Sequence, residues 1–181
     1  MSGMTTIPVE DDFMADDLAE LPDDGNRYEL VDGLLLVSPA PAERHQRAVM
    51  ELTVLLHAAT PPGLRVYGAP LDVRLSDRVE VQPDLLVALD GPLRDRLDQL
   101  PLLCVEVLSP GTRRHDLMLK RRAYERGAVP SYWIVDPLVP SVTVLELVGS
   151  AYVEVAQASG ADLVTVSAPF PMTFRPDDLL R

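Results

Sequence analysis

Hydrophobic positions follow two different periods along this chain, and each period predicts one kind of element. Two strand-like runs at residues 28–31 and 34–37 flank Asp32-Gly33, a dipeptide suited to a two-residue turn with positive φ, so they predict a β-hairpin. Residues 42–59 instead space Val49, Leu52 and Leu56 in helical fashion before a Pro-Pro-Gly sequence. The N-terminal part therefore predicts a hairpin followed by an amphipathic helix.

The rest of the chain predicts a sheet, a second helix and a further set of strands. Strand-like runs lie at residues 64–67, 71–75, 84–89 and 102–108, and these predict the central sheet. Residues 112–126 return to a helical pattern that Gly127 is placed to end. A buried strand at 131–135 and a closing β-meander at 142–147, 152–156 and 163–166 complete the prediction. The order of elements is that of an α/β (α+β) fold with a central sheet.

Length and composition indicate one domain without a membrane segment. The 181 residues, 47% of them hydrophobic, are enough for one buried core. No apolar run approaches the length of a membrane span and no signal peptide is recognisable, so we expect a cytoplasmic protein. Cys104 is the single cysteine, which excludes an internal disulfide and, with three scattered histidines, argues against a structural zinc site.

The net charge of −12 argues at first against binding to nucleic acid, because phosphate binding depends on Lys and Arg. Much of the acid is local, however, since residues 1–24 contain eight acidic side chains and no Lys or Arg. We therefore divide the chain into an acidic leader, 1–24, and a single domain, 25–181. The leader is compatible with a flexible tail, a partner-binding segment or a helix.

Glu106 is the most informative residue, because residues 102–108 are otherwise apolar and indicate a strand that is buried on both faces. An ionised carboxylate there costs several kcal/mol unless it is paired, protonated or bound to a cation. A structural ion pair with an arginine, or a position at a strand end that water reaches, is the alternative interpretation.

Asp84 follows Pro83 and is the first residue of the strand-like run at residues 84–89. An aspartate that caps an ordinary turn is the alternative interpretation. Together with Glu106 on a neighbouring strand, Asp84 becomes a candidate ligand for Mg²⁺ or Mn²⁺. Mg²⁺ favours one or two carboxylates and keeps several waters. The pair is stronger evidence than either residue alone.

Lys120 is the only lysine in the chain, against fifteen arginines. A lysine ammonium is a compact charge that can orient water or move protons where arginine cannot. The alternative is an i,i+4 pair with Asp116 on an exposed helix face, worth about 0.2 to 0.5 kcal/mol.

Several segments taken together resemble the putative restriction-endonuclease family of the PD-(D/E)XK nuclease superfamily. They lie between residues 27 and 137, and each is weak evidence alone. The segments are Tyr28-Glu29-Leu30-Val31-Asp32-Gly33, the stretch from Ser38-Pro39 to His45, Pro83-Asp84, Val105-Glu106-Val107-Leu108-Ser109-Pro110, Thr112 to Asp116 with Lys120 and Tyr124, and Gly127 to Pro137.

The resemblance implies a restriction-endonuclease-like core, a mixed sheet between helices, in which Asp84 and Glu106 are the acidic ligands. It departs from the superfamily pattern at Leu108, where the lysine usually stands, so Lys120 has to reach the site from the following helix. Glu29 and His45 are further candidates by the same resemblance. Their ordinary interpretations are the solvent side of a strand and a capping or surface histidine.

The resulting hypothesis is a Mg²⁺- or Mn²⁺-dependent endonuclease, with DNA as the expected substrate. Its phosphate contacts are expected from Arg113, Arg114, Arg121 and Arg122, and two copies are expected to pair through the C-terminal meander as a homodimer. The alternative is a nuclease fold without turnover that binds nucleic acid or a protein. A hydrolase using Ser109 and His115 has no Gly-x-Ser-x-Gly pattern behind it.

Overall fold

The computed structural model describes residues 4–92, 97, 99–109 and 116–181. In these ranges the chain forms two larger β-sheets, a small third one and a few helices. The strands are β1 (Thr5–Pro8), β2 (Arg27–Val31), β3 (Leu34–Ser38), β4 (Leu64–Gly68), β5 (Val73–Ser76), β6 (Val79–Val81), β7 (Leu85–Leu89), β8 (Leu103–Val107), β9 (Ser131–Asp136), β10 (Ser141–Val148), β11 (Ala151–Ser159), β12 (Val164–Val166) and β13 (Met172–Phe174).

Helices are few among the described residues. The long one is α1, Glu43–Ala59, and the second is α2, Arg121–Arg126, which continues directly from a π-helical turn at Asp116–Lys120. Two 3-10 helices lie at Ala15–Glu20 and Pro176–Leu180. No helix in the described ranges is long and apolar enough to cross a membrane.

The six-stranded sheet, in the order β11-β10-β9-β8-β7-β4, is mixed. Its β8–β9 pair is parallel and its other pairs are antiparallel. Every residue of β8 and β9 is buried, as the patterns at residues 102–108 and 131–135 predicted. The expected mixed sheet flanked by helices is confirmed.

Alternating side chains of this sheet enter two hydrophobic cores. One core joins Leu85, Val105 and Trp133 to the buried face of α1. The other joins Leu86, Cys104 and Tyr132 to the five-stranded sheet, whose order is β1-β3-β2-β6-β5, and to α2. Because side chains alternate, Glu106 lies on the second side together with Cys104.

The N-terminal hairpin is confirmed, with β2 and β3 joined at Asp32 and Gly33, whose φ angles are 51° and 79°. The prediction that residues 71–75 belong to the central sheet was wrong. The strand in this region, β5, covers Val73–Ser76 and belongs to the five-stranded sheet, because the turn at Asp77 and Arg78 folds the chain back so that β5 pairs with the three-residue β6. The acidic leader contributes β1, which pairs with β3, and the buried Ala15. The proposed division at residue 24 stays a prediction.

The C-terminal strands only partly follow the expected meander. β10 and β11 form the predicted hairpin, but β12 pairs with β13 in a separate two-stranded sheet. Val164 and Val166 of β12 enter the core beside α1, where Phe174 of β13 stacks on Trp133 with 6.1 Å between ring centroids. Burial of these apolar side chains explains why β12 leaves the meander.

The buried face of α1 provides the first test of this core. Replacing Leu52, which is fully buried, by alanine is expected to lower the free energy of unfolding by about 2 to 5 kcal/mol. Replacing the exposed Met50 by alanine is expected to change it by less than about 0.5 kcal/mol. Urea denaturation of both variants measures the difference, and similar losses in both would contradict this packing of α1.

Candidate active site

Asp84 and Glu106 are brought together by the antiparallel pairing of β7 and β8. Leu85 pairs with Val105, so the next positions outward in this register are Asp84 and Glu106. Both carboxylates are buried, with exposed fractions of 4% and 1%. Two buried acids at the end of one strand pair require compensating partners.

Asp84 has those partners on both carboxylate oxygens. Its Oδ2 accepts a hydrogen bond from the backbone N–H of Val107 at 2.8 Å and lies 3.0 Å from Nε2 of His45. Its Oδ1 accepts a hydrogen bond from Nη1 of Arg27 at 3.1 Å. Burial alone would raise the pKa of Asp84, but the hydrogen bond from His45 and the charges of His45, Arg27 and Lys120 lower it to about 2.

Glu106 is held by the helical segment that follows β8. Nζ of Lys120 lies 3.1 Å from each carboxylate oxygen of Glu106, and the Tyr124 hydroxyl donates a hydrogen bond to Oε1 at 2.6 Å. Burial and the neighbouring Glu106 raise the pKa of Tyr124 well above its usual value, so this hydroxyl stays a donor.

Lys120 also binds the carboxylate of Glu29, with Nζ 2.8 Å from Oε1. The same oxygen accepts a hydrogen bond from the backbone N–H of Gln82 at 2.7 Å. The second oxygen, Oε2, is buried and has no hydrogen-bond partner among the described residues, since Nε of Arg27 is 3.6 Å away. Lys120 therefore lies between two fully buried carboxylates.

The five predicted site residues come together: Asp84, Glu106, Lys120, Glu29 and His45. Lys120 and Glu29 are completely buried and His45 is 7% exposed, so their alternative interpretations as exposed side chains are wrong. Lys120 does reach the site from the helical segment after β8. It provides there the cation that the superfamily pattern usually has at the position of Leu108.

Of the predicted phosphate-binding arginines, the two that the structure describes, Arg121 and Arg122, are not part of this network. Arg122 is exposed. Arg121 is half-buried, and its Nη2 donates a hydrogen bond to the backbone oxygen of Tyr152 at 3.4 Å. Arg113, Arg114 and also His115 lie outside the described residues, as does the start of the predicted second helix.

Sequence reasoning missed Arg27 and the role of Tyr124. Arg27 precedes Glu29 by two residues on β2, so strand alternation puts both side chains on one face. Tyr124 follows Lys120 by four residues, the spacing that brings two helical side chains together. Burial alone would lower the pKa of Arg27, but the carboxylates of Glu29, Asp84 and Glu106 raise it further above its usual value.

The oxygen-rich donor set fits a hard divalent cation. Asp84 and Glu106 supply two carboxylates, the number Mg²⁺ favours, and Oε2 of Glu29 is a buried acceptor without a hydrogen bond. No group of three or more His, Cys, Asp or Glu side chains arranged for a metal occurs in the described part of the chain. Any such ion would therefore rely on water or substrate oxygens for the rest of its shell.

The hydrogen bond from Tyr124 to Glu106 can be tested by removing the hydroxyl. Tyr124→Phe is expected to lower the free energy of unfolding by about 1.5 to 3 kcal/mol, because a buried charged acceptor loses a donor. Tyr67→Phe is the matched control, since the Tyr67 hydroxyl has no hydrogen bond to any described residue. Equal denaturation curves for the two variants would contradict the assigned bond.

The lowered pKa of Asp84 predicts a specific loss of stability in acid. Because the folded-state pKa is about 2 against an ordinary value of 3.8, the ionised carboxylate stabilises the fold above about pH 4. This contribution, about 2 kcal/mol, is lost as the pH falls from about 4 towards 2. Urea denaturation across that window is expected to show a loss that is larger in the wild type than in Asp84→Asn by about this amount. Parallel pH curves for the two proteins would exclude it.

Comparison with known proteins identifies the family. The model of the Uma2 family, described as putative restriction endonuclease, matches residues 15–179. Among solved structures, the fold is similar to the crystal structure of a putative nuclease belonging to DUF820 from Anabaena variabilis, with a TM-score of 0.76 and 18% sequence identity. That match covers 93% of this chain and 97% of the other. A search of curated proteins found no match. With most of its length matched by the family model, the chain belongs to the Uma2 family of putative restriction endonucleases.

Proposed function

We propose that this protein is a metal-dependent endonuclease that hydrolyses phosphodiester bonds in DNA. The observation that carries the proposal is the buried pair of Asp84 and Glu106 at the adjacent strands β7 and β8. The chain's single lysine, Lys120, donates a hydrogen bond to Glu106. Buried acids next to a lysine are costly to fold and cluster at functional sites. Membership of the Uma2 family, described as putative restriction endonuclease, supports the same chemistry.

In this proposal Asp84 and Glu106 hold Mg²⁺ or Mn²⁺, with Glu29 as a further acidic group beside them. The bound ion would polarise the scissile phosphate and lower the pKa of a bound water. The protein's part is to fix the two ligands. The Val107 N–H and His45 orient Asp84, and the Tyr124 hydroxyl orients Glu106.

Lys120 is proposed as the group that orients the attacking water or neutralises developing negative charge. Its ammonium is fully buried, where a charge acts more strongly than in water, and carboxylates at 2.8 and 3.1 Å fix its position. An arginine at this position would keep the positive charge, but its guanidinium is larger and stays protonated, so it cannot transfer a proton.

DNA binding is proposed to use the basic segment around the second helix, with Arg113, Arg114, Arg121 and Arg122 as phosphate contacts. Such contacts are independent of sequence and weaken as salt rises. Pairing of two copies as a homodimer and a cytoplasmic location complete the proposal.

A binding module without turnover is the second candidate. The observation that favours it is that Asp84 and Glu106 are both engaged by cationic side chains of the protein itself. It predicts nucleic-acid or protein binding without cleavage, and little effect of Asp84→Ala on affinity.

Nicking of supercoiled plasmid DNA tests the proposal. We expect cleavage that requires Mg²⁺ or Mn²⁺, stops in EDTA and is lost in Glu106→Gln, while Glu154→Gln on the exposed edge strand β11 cleaves normally. Lys120→Arg is expected to retain DNA binding and to lower cleavage by about a hundredfold or more. DNA binding without cleavage by the wild type would support the binding module instead, and full activity of Lys120→Arg would overturn the role of the lysine.

A further inference from the structure

We propose that Arg27 is the phosphate-binding residue of this site and that, before substrate arrives, its guanidinium competes with the metal for Asp84. This inference rests on the proposed nuclease function. It assigns a binding role to a residue that the sequence did not single out, and a phosphodiester as the ligand.

Exposure separates Arg27 from the other members of the network. Its side chain is 22% exposed, whereas those of Glu29, Asp84, Glu106, Lys120 and His45 are between 0% and 9% exposed. Among these charged groups a phosphate arriving from solvent therefore meets Arg27 first. A cation at the entrance of an acidic site also lowers the repulsion between the buried carboxylates and an incoming phosphate.

Arg27 keeps donors available for such a ligand. Nη1 donates to Oδ1 of Asp84 and to the backbone oxygen of Gln82, both at 3.1 Å. Nη2 has no hydrogen-bond partner among the residues that the structure describes and is not among their buried unsatisfied atoms. A guanidinium binds a phosphate through two parallel N–H groups, and here one nitrogen is already free to begin that contact.

The same guanidinium occupies the oxygen that a metal needs. Oδ2 of Asp84 already accepts the Val107 N–H and faces His45, so Oδ1 is the oxygen left for a metal, and Oδ1 is the atom that Arg27 holds. A metal ion bound to Oδ1 and the Arg27 guanidinium, whose Nη1 is 3.1 Å from the same oxygen, would repel each other. A metal at Oδ1 therefore releases Arg27, and a phosphate that draws Arg27 away opens Oδ1.

This exchange makes metal binding and phosphate binding cooperative. By thermodynamic linkage, each ligand raises the affinity for the other by the same factor. Without Arg27 the metal would lose its competitor and the phosphate would lose its anchor. Opposite effects on the two affinities distinguish this role from a structural ion pair, whose loss would weaken both.

The test compares wild type, Arg27→Gln, Arg27→Lys and the matched control Arg65→Gln. Arg65 is an exposed arginine that pairs with Asp90 at 2.7 Å on the edge strand β4. Calorimetric titration with Mn²⁺ measures metal affinity in the absence of DNA. Fluorescence anisotropy of a labelled DNA duplex measures phosphate binding with and without Ca²⁺, an oxygen-binding cation used in place of Mg²⁺.

We expect Arg27→Gln to bind Mn²⁺ about tenfold more tightly than wild type and to bind DNA about tenfold to a hundredfold more weakly. The increase in DNA affinity caused by Ca²⁺ should also shrink in this variant. Arg27→Lys keeps the charge, so it is expected to fold and to bind Mn²⁺ like wild type. It is expected to lose DNA affinity, because a lysine ammonium cannot bind a phosphate through two parallel N–H groups. Arg65→Gln should match wild type in both assays.

Three outcomes would overturn the inference. If folded Arg27→Gln binds Mn²⁺ no more tightly than wild type, the competition is excluded. If Arg27→Lys binds DNA as tightly as wild type, the phosphate contact is excluded even where Arg27→Gln fails to fold. Wild type that binds and cuts DNA alongside either result leaves the nuclease proposal intact. If neither wild type nor folded Arg27→Gln, in which the competitor is gone, binds Mn²⁺, both proposals are removed together.

Discussion

The ammonium of Lys120 is the constraint on which the arrangement of this protein's elements depends. It lies between carboxylates of two different sheets, Glu29 on β2 and Glu106 on β8, and it comes from the helical turn before α2. Each of the three groups would be costly to bury alone, by several kcal/mol, and together they compensate one another. One buried cation therefore ties both large sheets and the second helical segment at a single point.

Such a centre is a poor way to gain stability. A buried ion pair often contributes less than well-packed apolar side chains of the same volume would, which agrees with the role in chemistry proposed for it. The surroundings provide the stability instead. Tyr132 and Cys104 pack on the side of Glu106, and Leu85, Val105 and Trp133 pack on the opposite face of the sheet.

Much of this could be predicted from the sequence because it depends on local signals. Asp32-Gly33 required a hairpin turn, Glu106 was a lone charge in an apolar strand, and Lys120 was the single lysine. β6 has only three residues, too few for a recognisable alternation of hydrophobic and polar positions. Because β5 pairs with β6, this short strand decides to which sheet β5 belongs. Arg27 is one of fifteen arginines, and only the approach of Asp84, far away in sequence, distinguishes it from the others. Long-range pairing is the information that a local pattern lacks.

The single buried lysine also has a practical consequence. Apart from the N-terminal amine, Lys120 carries the only amine of the chain, and its side chain is wholly enclosed. Amine-directed labelling of the folded protein should therefore leave the side chains unmodified until the region between the two sheets opens. The rate at which a label appears on this one residue would measure how often the centre of the molecule becomes accessible to solvent, without any engineered probe.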